Sequence, residues 1–505
     1  MRTFVFFIGG TGARVLRSLT MLMASGVSLK DGDSIVPIMV DYDATNADLK
    51  RTNELLSSYQ YFHKVCDYEN DSFDGGFFRT PLGVREGGDF QRLNSLVTMT
   101  FDGARSTFGG YIGYDSLSSP QVKCETTKLL IDSLYDNSSS GNRDRELNLE
   151  LNYGFKGNPN IGSVVFNEYF KTDQYQAFKD NFNSGDRIFI VASIFGGTGS
   201  SGLPQIVKKV RETAMDQISH NAGGSVKAIR EAMLGACVVL PYFKVKEKQE
   251  SAINSHTFNS KAKAALNYYH DEINGEMSEV YYIGCTKYAG TYDNQEGGEL
   301  QKNRAHLVEL LAAMSIVEFA NHPEMRPGDA TRFYEYASTS VTGDLPSPSF
   351  QDLLCRVSTD IHVYNDYVKK MNAFALLVKF FRDYTRKGKG SYYDNWEVFL
   401  QKGTDFSEKF NEFAEYFIQW VEELRDNPVL QFVPYNFDAR ELYELIRKDD
   451  SNVFKMFKKL RFIDIITTTL NAGSSLESRR GNSKGSKAYL RYAFNGCMEA
   501  VSRIS

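Results

Sequence analysis

The chain has 505 residues, of which 42% are hydrophobic, 13% aromatic and 24% charged. That is the balance of a soluble globular protein, long enough for several domains of about 150 residues each. Its 58 basic residues against 63 acidic ones leave a formal charge of -5, so no overall positive field gathers nucleic acid or an anionic membrane surface.

The opening apolar run over 3–8 predicts a first β-strand, which Gly9-Gly10-Thr11-Gly12 stops far short of the roughly 18 apolar residues a membrane span needs. With no other long apolar stretch, a cytoplasmic protein without membrane contact is expected. A helix follows, with Val15, Leu16, Leu19, Leu22 and Met23 recurring at three- and four-residue steps. The second strand, over 35–40, contains Pro37, which argues for an edge or irregular position. It ends at Asp41-Tyr42-Asp43, where carboxylates can face a ligand. From 51 to 143 the pairs Gly75-Gly76, Gly87-Gly88 and Gly109-Gly110 mark loops between short segments, and insertions are placed there.

Strands are predicted over 161–166 and 187–194, the second running into Phe195-Gly196-Gly197-Thr198-Gly199-Ser200-Ser201-Gly202. Leu203, Ile206, Val207 and Val210 then mark a helix face, with Pro204 read into its first turn. A strand over 235–242, a helix over 259–272 and a strand over 279–283 continue the alternation of a three-layer α/β domain. A long helix over 301–320 places Leu307, Leu310, Leu311, Met314 and Val317 on one stripe and Asn303 in its first turn.

Beyond Pro346 the pattern becomes helical. Tyr364, Tyr367, Val368, Met371, Phe374 and Ala375 form one face, and Phe406, Phe410, Phe413, Phe417, Trp420 and Leu424 form another, read as core or subunit interface. Lys369, Lys370, Lys379, Arg382, Arg386, Lys387 and Lys389 suggest a basic surface, and the Ser-, Gly- and Arg-rich stretch 474–487 is expected to be mobile.

The strongest chemical signal is the loop 195–202. Closely spaced glycines let successive N–H groups converge on an anion, Thr198, Ser200 and Ser201 add hydroxyls, and the following helix N-terminus adds a favourable dipole. No Lys-Ser/Thr follows at Walker A spacing. Gly9, Gly10, Thr11 and Gly12 form a shorter loop of the same kind. Their glycine spacing departs from the dinucleotide fingerprint, and Asp41 lies beyond the acidic position about 20 residues on, which disfavours an NAD- or FAD-dependent oxidoreductase. Two separated glycine loops suggest one nucleotide held from two sides, its phosphates neutralised by backbone donors and Mg²⁺.

The six cysteines (Cys66, Cys124, Cys237, Cys285, Cys355, Cys497) form no C-x-x-C pair and read as reduced, mostly buried thiols. His306 and Glu309 lack the remaining ligands of a metal site and read as a surface pair. No protein metal site is expected.

The Gly-Gly-Thr-Gly-Ser-Ser-Gly run at 196–202, placed between strand and helix, resembles the signature loop of the tubulin and FtsZ superfamily. The resemblance covers about 1–345. It implies a tubulin/FtsZ-like three-layer α/β nucleotide-binding domain over 1–300, a central helix over 301–322, and a divergent helix-rich C-terminal region over 323–505. It implies GTP or GDP with Mg²⁺, ATP being left open. Gly9, Gly10, Thr11, Gly12, Gly196, Gly197, Thr198, Gly199 and Ser200 would hold phosphates, with Asp41 nearby, Gly109 and Gly110 as a third phosphate-side loop, and Asn303 at the base.

Polymerising members carry an acidic Asn-x-Asp-x-x-Asp loop after the central helix. Here 321–329 departs from it, with Glu324 and Asp329 as the acids present. No catalytic residue is named, and hydrolysis is expected to be slow or partner-dependent. The expectation is a nucleotide-controlled filament or homo-oligomer. The alternative is a non-polymerising nucleotide sensor or scaffold, such as a prokaryotic antiviral system would use, with its C-terminal region taking a protein partner.

Overall fold

The computed structural model describes the chain up to residue 503, apart from 31, 44, 69–74, 84, 87–88, 91–96, 99–106, 119–124, 136–145, 152–153, 156, 213–223, 247–257, 286–289, 294–297, 300, 327, 338–348, 351–360, 389–390, 447–461 and 481–484. Gly87, Gly88, Cys124, Cys355 and Lys389 lie outside the described residues.

A parallel sheet of seven strands is the centre of the fold. The strands are β1 (Arg2–Ile8), β2 (Ser34–Asp41), β3 (Val97–Thr98), β4 (Arg187–Ser193), β5 (Leu234–Val239), β6 (Glu279–Gly284) and β7 (Arg332–Ala337), in the order β3-β2-β1-β4-β5-β6-β7. The central strands are apolar on both sides because both faces are covered, as parallel crossovers require. Phe4, Phe6 and Ile8 face one core with Ile188 and Ile190, while Val5 and Phe7 face the other with Phe189 and Val191. Pro37 sits where the sequence suggested. Ile35 takes the N–H of Gly83 and donates to Pro81 on the outer side of β2, and two residues on Pro37 faces the same way, beyond the reach of β3, which pairs only with Val40 and Asp41.

On the first face lie α1 (Gly9–Ala24), α2 (Ala47–Cys66) and the central helix α7 (Leu307–Asn321). On the second lie α3 (Pro159–Val165), α4 (Asp173–Asn181), α5 (Thr198–Glu212) and α6 (Phe258–Glu272). The helix-rich remainder comprises α8 (Ile361–Phe380), α9 (Ser391–Leu400), α10 (Asp405–Arg425), α11 (Phe462–Arg480) and α12 (Ser486–Ser502). It covers the first face as a further layer. Phe413 of α10 packs edge-on to Phe62 of α2, to Phe78 and to Phe374 of α8, at 6.0, 5.0 and 6.0 Å. The Phe406–Leu424 stripe is therefore core. Cys66, Cys237, Cys285 and Cys497 are buried thiols outside any disulfide, as expected. Among the described residues no helix is long and apolar enough to cross a membrane.

Several expectations are corrected. The run 161–166 is helical, because Pro159 at its first turn starts α3 and short apolar runs do not separate strand from helix. The central helix begins at Leu307 and not at 301, since His306 caps it: its Nδ1 accepts from the Val308 N–H at 3.0 Å, and the Glu309 carboxylate accepts from the His306 N–H at 3.0 Å. That helix is buried almost all round, with Glu318 half-exposed, because it lies between the sheet and the C-terminal helices. His306 and Glu309 are accordingly buried and not a surface pair.

Pro204 lies in the second turn of α5. Its missing N–H frees the Ser200 carbonyl, which the Tyr269 hydroxyl of α6 reaches at 3.2 Å. The stretch 474–480 continues α11 as helix. The expected basic surface is broken up, with Lys379 buried against Asp383 at 2.9 Å, Arg382 on the same carboxylate and Lys370 paired to Asp366.

Candidate functional site

The strand order reverses direction between β1 and β4: the crossovers from β1 lead to β2 and β3 on one side, and those from β4 to β5, β6 and β7 on the other. In open parallel sheets the crevice outside the carboxyl ends of such strands is where ligands sit. A cleft lies there, lined by Gly9, Gly10, Thr11 and Arg14 from α1, Asp41 at the end of β2 with Asp43 and Asn46 beyond it, and Ser193 to Gly199 around the signature loop, Ile194 excepted. Gly154, Phe155 and Gly157 close one wall and Gln301 and Asn303 another.

Local chemistry explains why the chain reaches the cleft. Strand β1 passes into α1 with no intervening residue, which puts Gly9 at φ +72°, a left-handed conformation that glycine adopts freely. A Cβ on Gly199 would lie 2.6 Å from the Ser193 carbonyl oxygen, so the signature loop folds tightly over the end of β4 only because that side chain is absent. The two loops meet: a Cβ on Gly9 would touch the Thr198 Cβ at 3.6 Å. Ile8 makes no side-chain cap for α1, and neither α1 nor α5 carries an acid in its first turn. Two helix N-termini thus converge on one space, where their dipoles favour negative charge.

Most of the sequence-derived site residues come together here. Gly9, Gly10, Thr11, Asp41, Gly196, Gly197, Thr198, Gly199 and Asn303 all line the cleft. Gly12 does not line it. A Cβ there would stand 2.5 Å from the Phe7 carbonyl carbon, so this glycine lets α1 pack on β1. Ser200 is turned back on the loop, its hydroxyl donating to the Gly196 and Gly197 carbonyls, and Ser201 does the same toward Gly197 and Thr198, at 2.9 and 3.1 Å. Both hydroxyl protons hold the loop. Gly109 and Gly110 lie in a short helix, Phe108–Tyr111, where a Cβ on Gly109 would meet the Leu147 oxygen at 2.9 Å; neither lines the cleft. Asn303 precedes the central helix in an irregular segment, and its backbone carbonyl accepts from Arg51.

Sequence reasoning missed Arg14, the one basic side chain among the described lining residues. It is 3% exposed. Its Nε donates to Glu309 at 2.6 Å, Nη1 to Asp48 at 2.7 Å, and Nη2 to the Tyr242 hydroxyl at 2.7 Å and the Thr11 hydroxyl at 3.2 Å. Because Thr11 accepts from Arg14, its own proton is left to point elsewhere. Burial disfavours charge on Arg14, but Tyr242, Glu309 and Asp48 outweigh it and hold the guanidinium firmly protonated. The signal was available, since arginines at 14 and 17 stand on a helix whose other positions are nearly all small or apolar. An apolar corner also went unread. Phe195 stands 5.4 Å from Phe243 and 5.1 Å from Phe258, and all three line the cleft with Val245.

The acidic rim is built by β2. Asp43 accepts from the Thr45 N–H and hydroxyl at 2.9 and 2.7 Å and from the Gly298 N–H at 2.5 Å, while the Asn46 amide donates to Gln301 at 2.9 Å. Asp41 accepts from the Tyr42 N–H at 2.7 Å. Burial, aided by the neighbouring Asp43, pushes the Asp41 carboxyl up to about 7, against the pull of the backbone N–H groups. An unfolded aspartate titrates near about 3.9. Below that value both states hold the proton. Between there and about 7 only the folded chain does, so this group's contribution to stability is lost as pH rises through that window. In the ligand-free protein, Asp41→Asn is therefore expected to raise the melting temperature at pH 8 and to matter much less at pH 5. Thermal denaturation at the two pH values measures this, and a substitution that destabilises at pH 8 would show that the carboxylate is not under strain.

Three carboxylates (Asp41, Asp43, Asp293) face one guanidinium in the lining, so an anionic ligand needs a cation with it. Among the described residues no group of three or more His, Cys, Asp or Glu side chains could hold a metal by itself. A scan against protein-family models finds no match to the chain, and a search of the curated proteins finds none either.

Proposed function

We propose that the protein binds a nucleoside triphosphate, GTP in the first place, in this cleft as a divergent relative of the tubulin and FtsZ superfamily. One observation carries the reading: two helix N-termini without an acid in their first turns, each reached through a glycine loop, converge at the topological switch point of a parallel sheet. Phosphates suit that polar end, and the Phe195–Phe243–Phe258 corner offers apolar surface to the rest of a nucleoside. The rim suits Mg²⁺, which takes one or two carboxylates, several waters and phosphate oxygens. Asp41 and Asp43 would hold it, and it would neutralise phosphate charge. A buried central helix follows β6 on the face of α1, at the place in the chain where the resemblance puts one.

The loop after the central helix supports an end-to-end assembly. Glu324, Met325 and Arg326 border a second cavity with Met1, Arg187 and Met233, at the amino ends of the strands and so at the opposite pole from the cleft. Stacked copies would bring this loop to a neighbour's ligand. Asp329 is engaged by the Arg326 N–H at 2.8 Å, and with the family's acidic pattern absent, hydrolysis is expected to be slow or partner-dependent.

Calorimetry with GTP, ATP and NAD⁺ in the presence of Mg²⁺, followed by sedimentation with a non-hydrolysable GTP analogue, tests both parts. Selective GTP binding and long regular polymers are expected. A discrete nucleotide-bound particle would replace the filament by a sensor or scaffold, and preference for the dinucleotide would overturn the assignment.

A further inference from the structure

A chain of alternating charges, in which the Asp48–Arg51 contact is an ion pair without a hydrogen bond, runs from the cleft to the helix-rich region. Arg14 Nη1 lies 2.7 Å from Asp48 Oδ2, Asp48 Oδ1 lies 2.7 Å from Arg51 Nη2, and Arg51 Nη1 lies 2.8 Å from Glu423 Oε1 on α10. Glu423 Oε2 accepts from Arg17 at 2.5 Å and from the Ala305 N–H, ahead of the central helix, at 2.9 Å. Side-chain exposures along the chain are 3% for Arg14, 0% for Asp48, 12% for Arg51 and 11% for Glu423. Burial works against the Glu423 carboxylate, and Arg17 and Arg51 overcome it. One turn earlier on α10, the buried Trp420 indole donates to Ser18 of α1 at 3.3 Å.

Resting on the anion-binding reading above, we propose that Arg14 senses the ligand's negative charge and that the Asp48–Arg51–Glu423 chain passes the change to the end of α10. The geometry of the sensing end is direct. A Cβ on Gly10, which lines the cleft, would stand 3.5 Å from Arg14 Nη1, so an anion held by the loop at Gly10 competes with Asp48 for that nitrogen. In a nearly dry interior the pull is little screened. A carboxylate that loses part of Arg14 shares itself more with Arg51, and Arg51 then holds Glu423 less. Glu423 is the acceptor for Arg17 and for the Ala305 N–H, so its shift is felt by α1, by the lead into the central helix and by α10 together. The helix-rich region thereby reports whether the cleft is filled.

The test uses the full-length protein with Mg²⁺ and two probes, GTP and inorganic tripolyphosphate. Calorimetry reads binding, and hydrogen exchange over 415–427 reads the response. Both probes are expected to change exchange there by about threefold or more, because the signal begins at the anion. In Glu423→Gln, affinity should stay within about threefold of wild type while the exchange response disappears. If that variant does not fold, Arg51→Gln cuts the chain at its middle link and should give the same result. Binding in the wild type without a response at α10 overturns the inference and leaves nucleotide binding standing, a response that survives the cut overturns the route, and failure of both probes to bind overturns the two proposals together.

Discussion

Gly197→Asp is expected to weaken nucleotide binding by at least ~100-fold, about 2.7 kcal/mol. Gly197 is half-exposed in the cleft, and a Cβ on it would lie 3.0 Å from both the Gly157 nitrogen and the Phe155 Cβ. The new side chain therefore presses on the Phe155–Gly157 wall of the cleft, and its carboxylate adds negative charge to the lining beside the space where the phosphates are proposed to sit. Two like charges at about 4 Å repel by ~4 kcal/mol at the effective dielectric of a protein surface, more than the expected loss. Gly275→Ala is the matched control. A Cβ there meets nothing within 4 Å, so its effect on stability should stay within about 0.5 kcal/mol and its effect on binding should be nil. Calorimetry with GTP and Mg²⁺ decides the matter, and an unchanged dissociation constant in Gly197→Asp would place the ligand elsewhere.

Glu309→Ala is expected to cost about 3–5 kcal/mol of folding stability, the usual consequence of breaking one side of a buried ion pair. Glu309 is 1% exposed and serves three partners: Arg14 at 2.6 Å, the Tyr242 hydroxyl at 2.8 Å and the His306 N–H at 3.0 Å. Burial raises its carboxyl, while Arg14 and Tyr242 pull it back down. Truncation leaves Arg14 to Asp48 alone among the acids and opens the cap of the central helix. His306 offers no charge in exchange, since burial, reinforced by Arg14, holds it down at about 3 and keeps the ring neutral. Glu309→Gln retains the shape and the cap, and it should cost distinctly less. Urea denaturation of the three proteins compares them: a Gln midpoint equal to wild type would show that the charge does not matter, and equal midpoints for Ala and Gln would show that the shape and the cap add nothing to it.

Much of the sheet was legible. Strands at 3–8, 35–40, 187–194 and 279–283 and the helix at 259–272 correspond to β1, β2, β4, β6 and α6 to within a residue or two. These elements are announced by local chemistry: apolar runs of strand length closed by glycine or acidic turns, and apolar residues at helical spacing. The short run at 161–166 was misread because six residues do not distinguish two periods, and the element is set by Pro159 and by packing against α5. The central helix was given one stripe and a start six residues early because its burial on every side comes from layers far away in sequence.

The candidate site divides in the same way. Glycine loops betray themselves in sequence, since a tight strand-to-helix turn tolerates little else, and so Gly9, Gly10 and Gly196 to Gly199 could be found by reading. Which glycines face the cleft could not. Gly12 and Gly196 look alike in sequence, but only the first is pressed against the backbone of the preceding strand. Ser200 reads as a donor until its hydroxyl is seen turned onto the loop.

By itself the sequence determined the alternation of strands and helices, the two glycine loops, the acidic end of β2 and the helical character of the C-terminal part, all properties of residues within a turn or a strand of one another. The tertiary structure alone decided that the loops share one cleft, that Arg14 stands beneath it, and that Asp48 and Glu309 answer its charge from positions 34 and 295 residues away. The reason is that burial and pairing of charge are set by which surfaces the folded chain brings together, and no local pattern records that.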